Sequence, residues 1–471
     1  MPHGPALAVL LAVLLAVTAA GAQQPEREPE RLQRDRTTTR EAEDAATRAR
    51  ERRAFEGPTI GFQDVLRDPD NLELNLGFVR QQIRDGDLRG AASTLERILA
   101  LAPGLAEARV LHAIVLFRLD STVEAERELR GLANLDLPPG QRAEVDGYLR
   151  QIERRRQAVR WQASLSVGGQ AETNRDATPS GKERLVVDLP LTVRRGHSDA
   201  AVLAVAQLRM TYDLGTPDGH EFFAVATSFR NRQRHLSQFD LGADTLEAGF
   251  NLRTDLADVS PSLVLGYGSL MSRRFQRSVG GRVRAERQFG DVVSFFADTL
   301  AQYQHFDAVT RTRNGDAAAP RANELSGLRV DAEFGLAFNL DAEHRLSASY
   351  TRTRKAAQRD YNAYVGDQAA LRHTWLLGDG RFLLASATAE RDLFDGADTL
   401  VSARTRRDTV LRGQIGYGTP LNTLARGALP DWAGDITLLA SVDVIRSISN
   451  LPNYTYTNLR GQLMLTKLWE F

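Results

Sequence analysis

Leu328-Arg329-Val330-Asp331-Ala332-Glu333-Phe334-Gly335-Leu336-Ala337-Phe338-Asn339-Leu340 is a strict alternation. Successive side chains of a strand point to opposite faces. Leu328, Val330, Ala332, Phe334, Leu336, Phe338 and Leu340 therefore share one face, and Arg329, Asp331, Glu333 and Asn339 the other. The inner face of a soluble sandwich must be dry, so neither row fits one: the charged row cannot be buried and the large apolar row cannot be left in water. The pattern suits a strand whose apolar row faces lipid and whose polar row faces a wet lumen.

The same period of two runs from Trp161 to the C-terminus. Trp161, Ala163, Leu165 and Val167 alternate with Gln162, Ser164, Ser166 and Gly168. Val283 and Ala285 alternate with Arg282, Arg284 and Glu286, and the run from Ile436 to Val444 behaves alike. The last nine residues end on Trp469-Glu470-Phe471, with Leu463, Leu465, Lys467, Trp469 and Phe471 on one face. As a soluble edge strand this would be an aggregation hazard; as a barrel strand it is a lipid-facing row ending in an interfacial aromatic girdle. Fifteen strand candidates can be marked, centred near 166, 190, 206, 226, 248, 264, 283, 298, 331, 349, 369, 387, 411, 440 and 463. Single-chain bacterial barrels need an even number. Long connections near 306–322, 354–361, 392–404 and 448–454 alternate with tight ones near Gly290, 341–343 and 378–380, and the alternation breaks only between 170 and 220. The expectation is an antiparallel transmembrane β-barrel over 160–471 with 14 strands, 16 being the alternative. Trp161 would then meet Trp469 and Phe471 at a closing seam. The inward Arg282, Arg284, Glu286, Arg329, Asp331 and Glu333 would form a lumen charge network or line a conduit.

Composition sets the address. The 471 residues carry 60 basic and 60 acidic side chains, so no net field points to nucleic acid. Cysteine is absent, which excludes disulfides, thiolate metal sites and an N-terminal lipid-modified Cys. The apolar run from Ala6 to Ala20 is too short to span a bilayer and is followed by a small-x-small pattern. It reads as a signal peptide over 1–22, cut after Ala22. No other stretch approaches a helical membrane span. Residues 23–71 are highly charged, above all up to about 56, and read as a largely disordered linker.

Residues 72–157 change the period to that of helices. Val79, Gly86, Ala91, Leu95 and Ile98 recur 34 residues later as Ala113, Asp120, Ala125, Leu129 and Leu132, and Pro103 is answered by Pro138. A 34-residue period, with small residues where helices cross and Pro after the second helix, is the pattern of a tetratricopeptide repeat. Two such repeats and a further helix make a short α-solenoid whose concave face suits a peptide. The fold class is thus α+β.

Chemistry-bearing motifs are sparse. The eight histidines show no metal-ligand spacing, and there is no nucleophile elbow or phosphate loop. His305 near Asp307 is the one pair that invites a hydrolase reading, and paired polar residues at a strand end are its ordinary explanation. Neither catalysis nor a cofactor is expected.

The order of signal peptide, short tetratricopeptide module and C-terminal barrel resembles the surface lipoprotein assembly modifiers (Slam), the type XI secretion translocons. The likeness spans residues 72–471. Locally it lies in Ser449-Asn450-Leu451-Pro452-Asn453-Tyr454-Thr455-Tyr456 with the strand to Phe471, and in Gly168-Gly169 and Thr173-Asn174. One departure is Thr466, where the usual C-terminal barrel-assembly signal places Gly. The resemblance implies a monomer in the outer membrane of a Gram-negative bacterium, its helical domain in the periplasm. It also implies an outer-membrane translocon for surface lipoproteins or small secreted client proteins. A periplasmic chaperone, the barrel-assembly machinery and outer-membrane lipid would be its other partners. The alternative is a polysaccharide-export or small-molecule porin with a periplasmic repeat scaffold.

Overall fold

The computed structural model describes residues 60–471, apart from 120, 134–138, 194–195, 291, 310–318, 342, 426–427 and 435. The signal-peptide reading with Ala22, and the linker up to residue 59, lie outside the described residues. Two compact units follow, one within residues 47–160 and the other holding residues 161–471.

In the helical unit, α1 (Phe62–Arg67) precedes five longer helices: α2 (Leu72–Asp85), α3 (Leu88–Leu101), α4 (Ala106–Arg118), α5 (Thr122–Ala133) and α6 (Pro139–Arg156). The helix α1 lies inside the interval read as linker, and its Val65 is buried while Phe62 and Leu66 stay exposed. Asn71 caps α2 by accepting from the Leu74 N–H, and Asp87 caps α3 by accepting from the Gly90 N–H. Between them Gly86 takes the left-handed conformation (φ 84°) that ends α2, a position that favours residues without a Cβ. Consecutive helices pack on one another. Val79, Ala91, Leu95 and Ile98 sit in one buried cluster, and Ala113, Ala125, Leu129 and Leu132 sit in the next. Helix α4 serves both, giving Ala108, Leu111 and Val115 to the first and Val110, Ala113, Ile114 and Phe117 to the second. That two-sided burial is how a solenoid joins one hairpin to its neighbour.

The barrel is a single closed antiparallel sheet in the order β1-β16-β15-β14-β13-β12-β11-β10-β9-β8-β7-β6-β5-β4. Its strands are β1 (Val159–Glu172), β4 (Asp199–Asp213), β5 (Glu221–Gln233), β6 (Leu241–Arg253), β7 (Asp258–Leu270), β8 (Arg273–Phe289) and β9 (Val293–Phe306). The circuit continues through β10 (Gly327–Asn339), β11 (His344–Lys355), β12 (Tyr364–Gly378), β13 (Arg381–Phe394), β14 (Arg407–Pro420), β15 (Thr437–Ser449) and β16 (Tyr456–Glu470). Fourteen strands close the barrel, as the parity argument required. The shortest has 12 residues; at about 3.4 Å per residue and a tilt near 40° it still crosses an apolar band of about 25 Å.

The surplus candidate near residue 190 is not a wall strand. Residues 183–193 form a separate hairpin, β2 (Glu183–Val186) and β3 (Leu189–Thr192), within the first long loop. Val187 and Asp188 at its tip both have positive φ (52° and 62°), the geometry of a two-residue hairpin turn. Four residues per strand reach only about 14 Å. The alternation of Leu185, Val187, Leu189, Leu191 and Val193 was real, but it served a loop ornament.

Connections alternate between the two ends, and most of the long ones fall at one of them. One end carries 214–220, 254–257, 290–292, 340–343, 379–380 and the longer 421–436, which holds α7 (Leu421–Leu424) and α8 (Asp431–Gly434). The other carries 173–198, 234–240, 271–272, 307–326, 356–363, 395–406 and 450–455. They are called the turn end and the loop end below; the chain enters and leaves the barrel at the turn end.

At the seam, β1 and β16 pair from Gln162↔Glu470 to Glu172↔Arg460. Trp161 and Phe471 exchange both backbone hydrogen bonds, at 3.2 and 3.0 Å. A Cβ on Gly168 would lie 2.0 Å from the Leu463 carbonyl oxygen, so this crossing requires glycine. Thr466, which stands where Gly was expected, pairs its hydroxyl with Ser166 across the seam at 2.9 Å.

Helix α4 carries a testable weak point. Both ring nitrogens of His112 are buried without a hydrogen-bond partner, and burial pushes its pKa below 6.5, against opposing pulls from Glu128 and Glu96. A depressed folded-state pKa means stability is full above the unfolded value of about 6.5 and is lost as pH falls below it. The urea midpoint of the helical signal at 222 nm should therefore drop on acidification of the wild type. It should drop measurably less in His112→Leu; equal acid sensitivity in both proteins would refute the assignment.

A lumen closed at the loop end

The burial of β10 is inverted relative to a soluble strand. Leu328 and Phe334 on its apolar row are 47% and 51% exposed, whereas Arg329 and Asp331 on its charged row are 7% and 8% exposed. The other strands repeat this: Leu263, Val279, Tyr303, Leu371, Ile415, Val442 and Leu463 are all exposed. A continuous belt of this kind is stable only in lipid. The protein is therefore a transmembrane β-barrel of the outer-membrane type.

Inside, the charged residues divide into separate groups. Arg282 and Arg284 on β8 both contact Asp298 on β9 at 2.9 Å and Glu247 on β6 at 3.4 Å. Arg329 grips Asp331 two residues along β10, at 2.7 and 3.1 Å, and Asp331 also accepts from the Thr353 hydroxyl on β11 at 2.7 Å. Glu286 and Glu333 lie on the same inward rows but form no ion pair among the described residues. The six residues singled out in sequence are thus two clusters and two unpaired acids. Glu247 and Asp298, which hold the β8 pair, were missed. Their strands carry the alternation, but which acid faces which arginine is a matter of register, and sequence does not give register. A third group lies by the seam, where Glu172 accepts from Asn458 and Arg175 (2.7 and 3.3 Å) and Arg460 reaches Asp443 (3.4 Å).

Along the barrel axis the inward rows change character. Toward the turn end those of β4 to β9 carry part-exposed or exposed Thr211, Glu221, Asn251, Ser260, Glu286 and Ser294 beside the buried Phe223, and those of β12 and β13 carry the buried Leu376 and Phe382. Toward the loop end they become apolar: Leu203 and Val205 on β4, Phe229 on β5, Leu241 on β6, Leu270 on β7, Phe275 on β8 and Phe306 on β9. These join Val309, Ala319, Ala322 and Leu325 of loop 307–326, and Met464 of β16, in one buried cluster. The loop is tied to the wall by the Ser326 hydroxyl, which accepts from the Phe306 N–H at 2.9 Å. The cluster fastens loop 307–326 to the inner wall at the loop end of the lumen.

The polar side of the same loop is latched to its neighbours. Arg321 bonds Glu324 at 2.9 Å, Asp398 of loop 395–406 at 3.0 Å, and the Tyr361 hydroxyl of loop 356–363. Tyr361 in turn donates to Glu324. Burial disfavours the Arg321 charge, but Asp398, Tyr361 and Glu324 outweigh it, and the guanidinium is held charged. Burial, with the bond to Glu324, pushes the Tyr361 hydroxyl up to about 12. Beside them the Arg406 guanidinium stacks over Tyr454 (3.5 Å) and Phe394 (4.5 Å). An open cleft lies between these groups, lined also by Asn362 and Leu451. The β2–β3 hairpin fastens on the far side. Asn453 bonds both backbone groups of Leu185 (2.7 and 3.0 Å), and Asp188 accepts from Ser402 and from the Ala403 N–H.

His305 lies on the outward row with Nε2 3.7 Å from Asp307, whose carboxylate is already held by Arg274 at 2.8 and 3.2 Å. The described residues include no cluster of metal-ligating side chains. Trp161, Trp469 and Phe471 lie together at the turn end of the seam.

No family model matches the chain, and no curated protein does. Among solved structures it is similar to Pseudomonas aeruginosa OpdL, at 11% identity over 66% of this chain and 99% of that one, with a TM-score of 0.31. Pseudomonas aeruginosa OccK10 (OpdN) gives 13% identity over 67% and 99%, with a TM-score of 0.32. Acinetobacter baumannii OccAB3 gives 9% over 66% and 99%, with a TM-score of 0.32. At such scores the likeness carries no weight beside the barrel's own geometry.

Two consequences of the latch are measurable. Removing one partner of a buried charged pair costs about 3 kcal/mol, so Arg321→Ala should raise the current through the reconstituted protein in planar bilayers. Unchanged conductance would mean the loop is held by its apolar side alone. A raised pKa means the Tyr361 contribution is full below the free value of about 10 and is lost as pH rises through about 12. Conductance should increase over that interval in the wild type, and the increase should be absent from Tyr361→Phe.

Proposed function

We propose that the protein is an outer-membrane translocon that moves surface lipoproteins or small secreted proteins from the periplasm to the cell surface. The turn end faces the periplasm and the loop end the exterior, the arrangement usual for such barrels. The helical unit, read as tetratricopeptide-type repeats, receives the client in the periplasm. The barrel then passes it outward without a catalytic step.

One observation carries the reading: loop 307–326 packs an apolar face against the inner wall at the loop end, while charged clusters such as Arg282, Arg284, Glu247 and Asp298 line the lumen below it. A passage that must stay closed to small solutes and open for a larger cargo needs a displaceable seal of this kind. The solenoid supports the protein-client form of the proposal, because stacked hairpins present a concave face to extended or helical peptide. Its covalent attachment would also raise the local client concentration at the barrel. A second reading, a porin for small molecules or polysaccharide, draws on the Arg282/Arg284 cluster with Glu247 and Asp298, which could select a charged solute by itself.

Surface display of a candidate client, encoded beside this protein, separates the two. Deleting residues 72–157 should leave a folded, heat-modifiable barrel and abolish display. If display persists without the helical unit, or if only polysaccharide is lost when the whole protein is deleted, the translocon reading falls.

A further inference from the structure

The two rims of the lipid-facing surface differ in chemistry. Toward the turn end the outward rows end in aromatics, among them Tyr212, Phe222, Phe250, Trp375, Tyr417 and Trp469. Toward the loop end, on β11 to β15, they end in arginines. Strand register fixes their arrangement. Arg352, Asp367, Arg391, Thr409 and Ile448 form one cross-strand row. The next outward row toward the loops carries Arg354 and Arg407, and the next one toward the belt carries Arg446. Two of the five arginines are satisfied within the protein. Arg352 pairs with Asp367, and Arg354 pairs with Asp395 at 2.7 Å. Arg391, Arg407 and Arg446 are exposed, and their guanidinium groups form no ion pair among the described residues.

We propose that Arg391, Arg407 and Arg446 bind the phosphate groups of a lipid headgroup in the leaflet at the loop end. The occupant of this surface is fixed by position: the three residues cap the rows whose lower members, such as Leu411 and Val442, already face lipid. Charge then selects the lipid. A guanidinium at the edge of the hydrocarbon needs an anionic partner, and its planar fork matches phosphate with two parallel hydrogen bonds. Adjacent strands lie about 4.8 Å apart and successive outward rows about 7 Å apart, so the register sets Arg391 about 8 Å from Arg407 and about 12 Å from Arg446, with Arg407 and Arg446 about 14 Å apart. That spread suits one large headgroup bearing two separated phosphate esters, with the Thr409 hydroxyl between the arginines as a further donor. Aromatics at the other rim, which suit any interface, offer no such selectivity.

The test uses the full-length protein in nanodiscs of a zwitterionic lipid, titrated with a bis-phosphorylated glycolipid or with the same glycolipid stripped of phosphate. The variants are Arg391→Gln/Arg407→Gln/Arg446→Gln together, and Arg287→Gln at the opposite rim as a control. Heat-modifiable mobility reports folding. Each arginine near a charged lipid surface contributes about 1 kcal/mol, so the triple variant should bind the phosphorylated lipid about a hundredfold more weakly. The control should be unchanged, and the stripped lipid should bind wild type and triple variant alike. Wild-type affinity in the triple variant, or equal affinity of wild type for both glycolipids, would overturn the proposal. Full competition by millimolar inorganic phosphate would overturn the lipid assignment in favour of a free anion. If the triple variant does not fold, Arg407→Gln and Arg446→Gln alone should each weaken binding about fivefold, and no loss in either would count against the site.

Discussion

In hydrocarbon a backbone N–H or C=O without a partner costs several kcal/mol, so a sheet can cross a membrane only if it has no edge. Everything else in the barrel follows from meeting that constraint at one place, the junction of its first and last strands. Trp161 and Phe471 exchange hydrogen bonds at the turn end of the junction, and Glu172 and Arg460 pair at its other end. Close strand approach there needs Gly168. The inward side needs small polar partners, and Ser166 with Thr466 provides one such contact. The N- and C-terminal ends of the barrel sequence are thus a single structural feature separated by some 300 residues of chain.

Antiparallel closure makes successive connections alternate between the two ends, and the long ones that gather at the loop end then have to do something with their side chains. Loop 307–326 resolves this by having two faces. Its Val309, Ala319, Ala322 and Leu325 complete an apolar cluster with the inner wall, while Arg321 and Glu324 engage the loops on the other side. The wall is prepared for it. Leu203, Phe229, Leu270 and Phe306 occupy inward positions at the loop end, and with no loop seated on them they would be exposed to the lumen. Seal and wall are therefore one unit, distributed over β4 to β9 and a loop.

How much of this is legible in sequence follows from the range of each interaction. Alternation is local, so the strands of the wall, their inward and outward rows, and the long loops near 306–322, 354–361 and 392–404 could be read directly. Parity located the one error between 170 and 220, but periodicity could not correct it. Leu185 to Val193 alternates as well as any wall strand, and only the positive φ at Val187 and Asp188 turns it into a hairpin. The charge clusters were half legible for a related reason. Arg282 and Arg284 announce an inward basic pair, but their partners Glu247 and Asp298 lie on two other strands, and a one-residue slip of either strand would point the acid at lipid. The seal was not legible at all. Leu203 and Phe229 read as ordinary apolar residues of membrane strands, and their inward position matters only because a distant loop covers them.

Helical repeat and barrel place opposite demands on apolar side chains, and the chain meets both with one composition. In α2 to α5, Leu95, Ile98, Leu129 and Leu132 are wholly buried because water surrounds the unit. In β10 to β16, residues of the same types are left outside, and burial goes to Arg329, Asp331, Asp443 and Arg460. Total hydrophobicity cannot distinguish the two; the period of the pattern and the partner available to each charge do. The buried wall arginines Arg329 and Arg460 are tolerable because the sheet fixes a carboxylate for each, Asp331 and Asp443, as Asp408 does for Arg406 at the mouth of β14. A sheet with a rigid register is better suited to this than a helical bundle, since it sets donor and acceptor at repeat distances along and across strands. Arg391, Arg407 and Arg446 on the outer face at the loop end form no such ion pair among the described residues, although Arg391 shares the field of Asp367 with Arg352, and there the neighbouring phase can supply the anion.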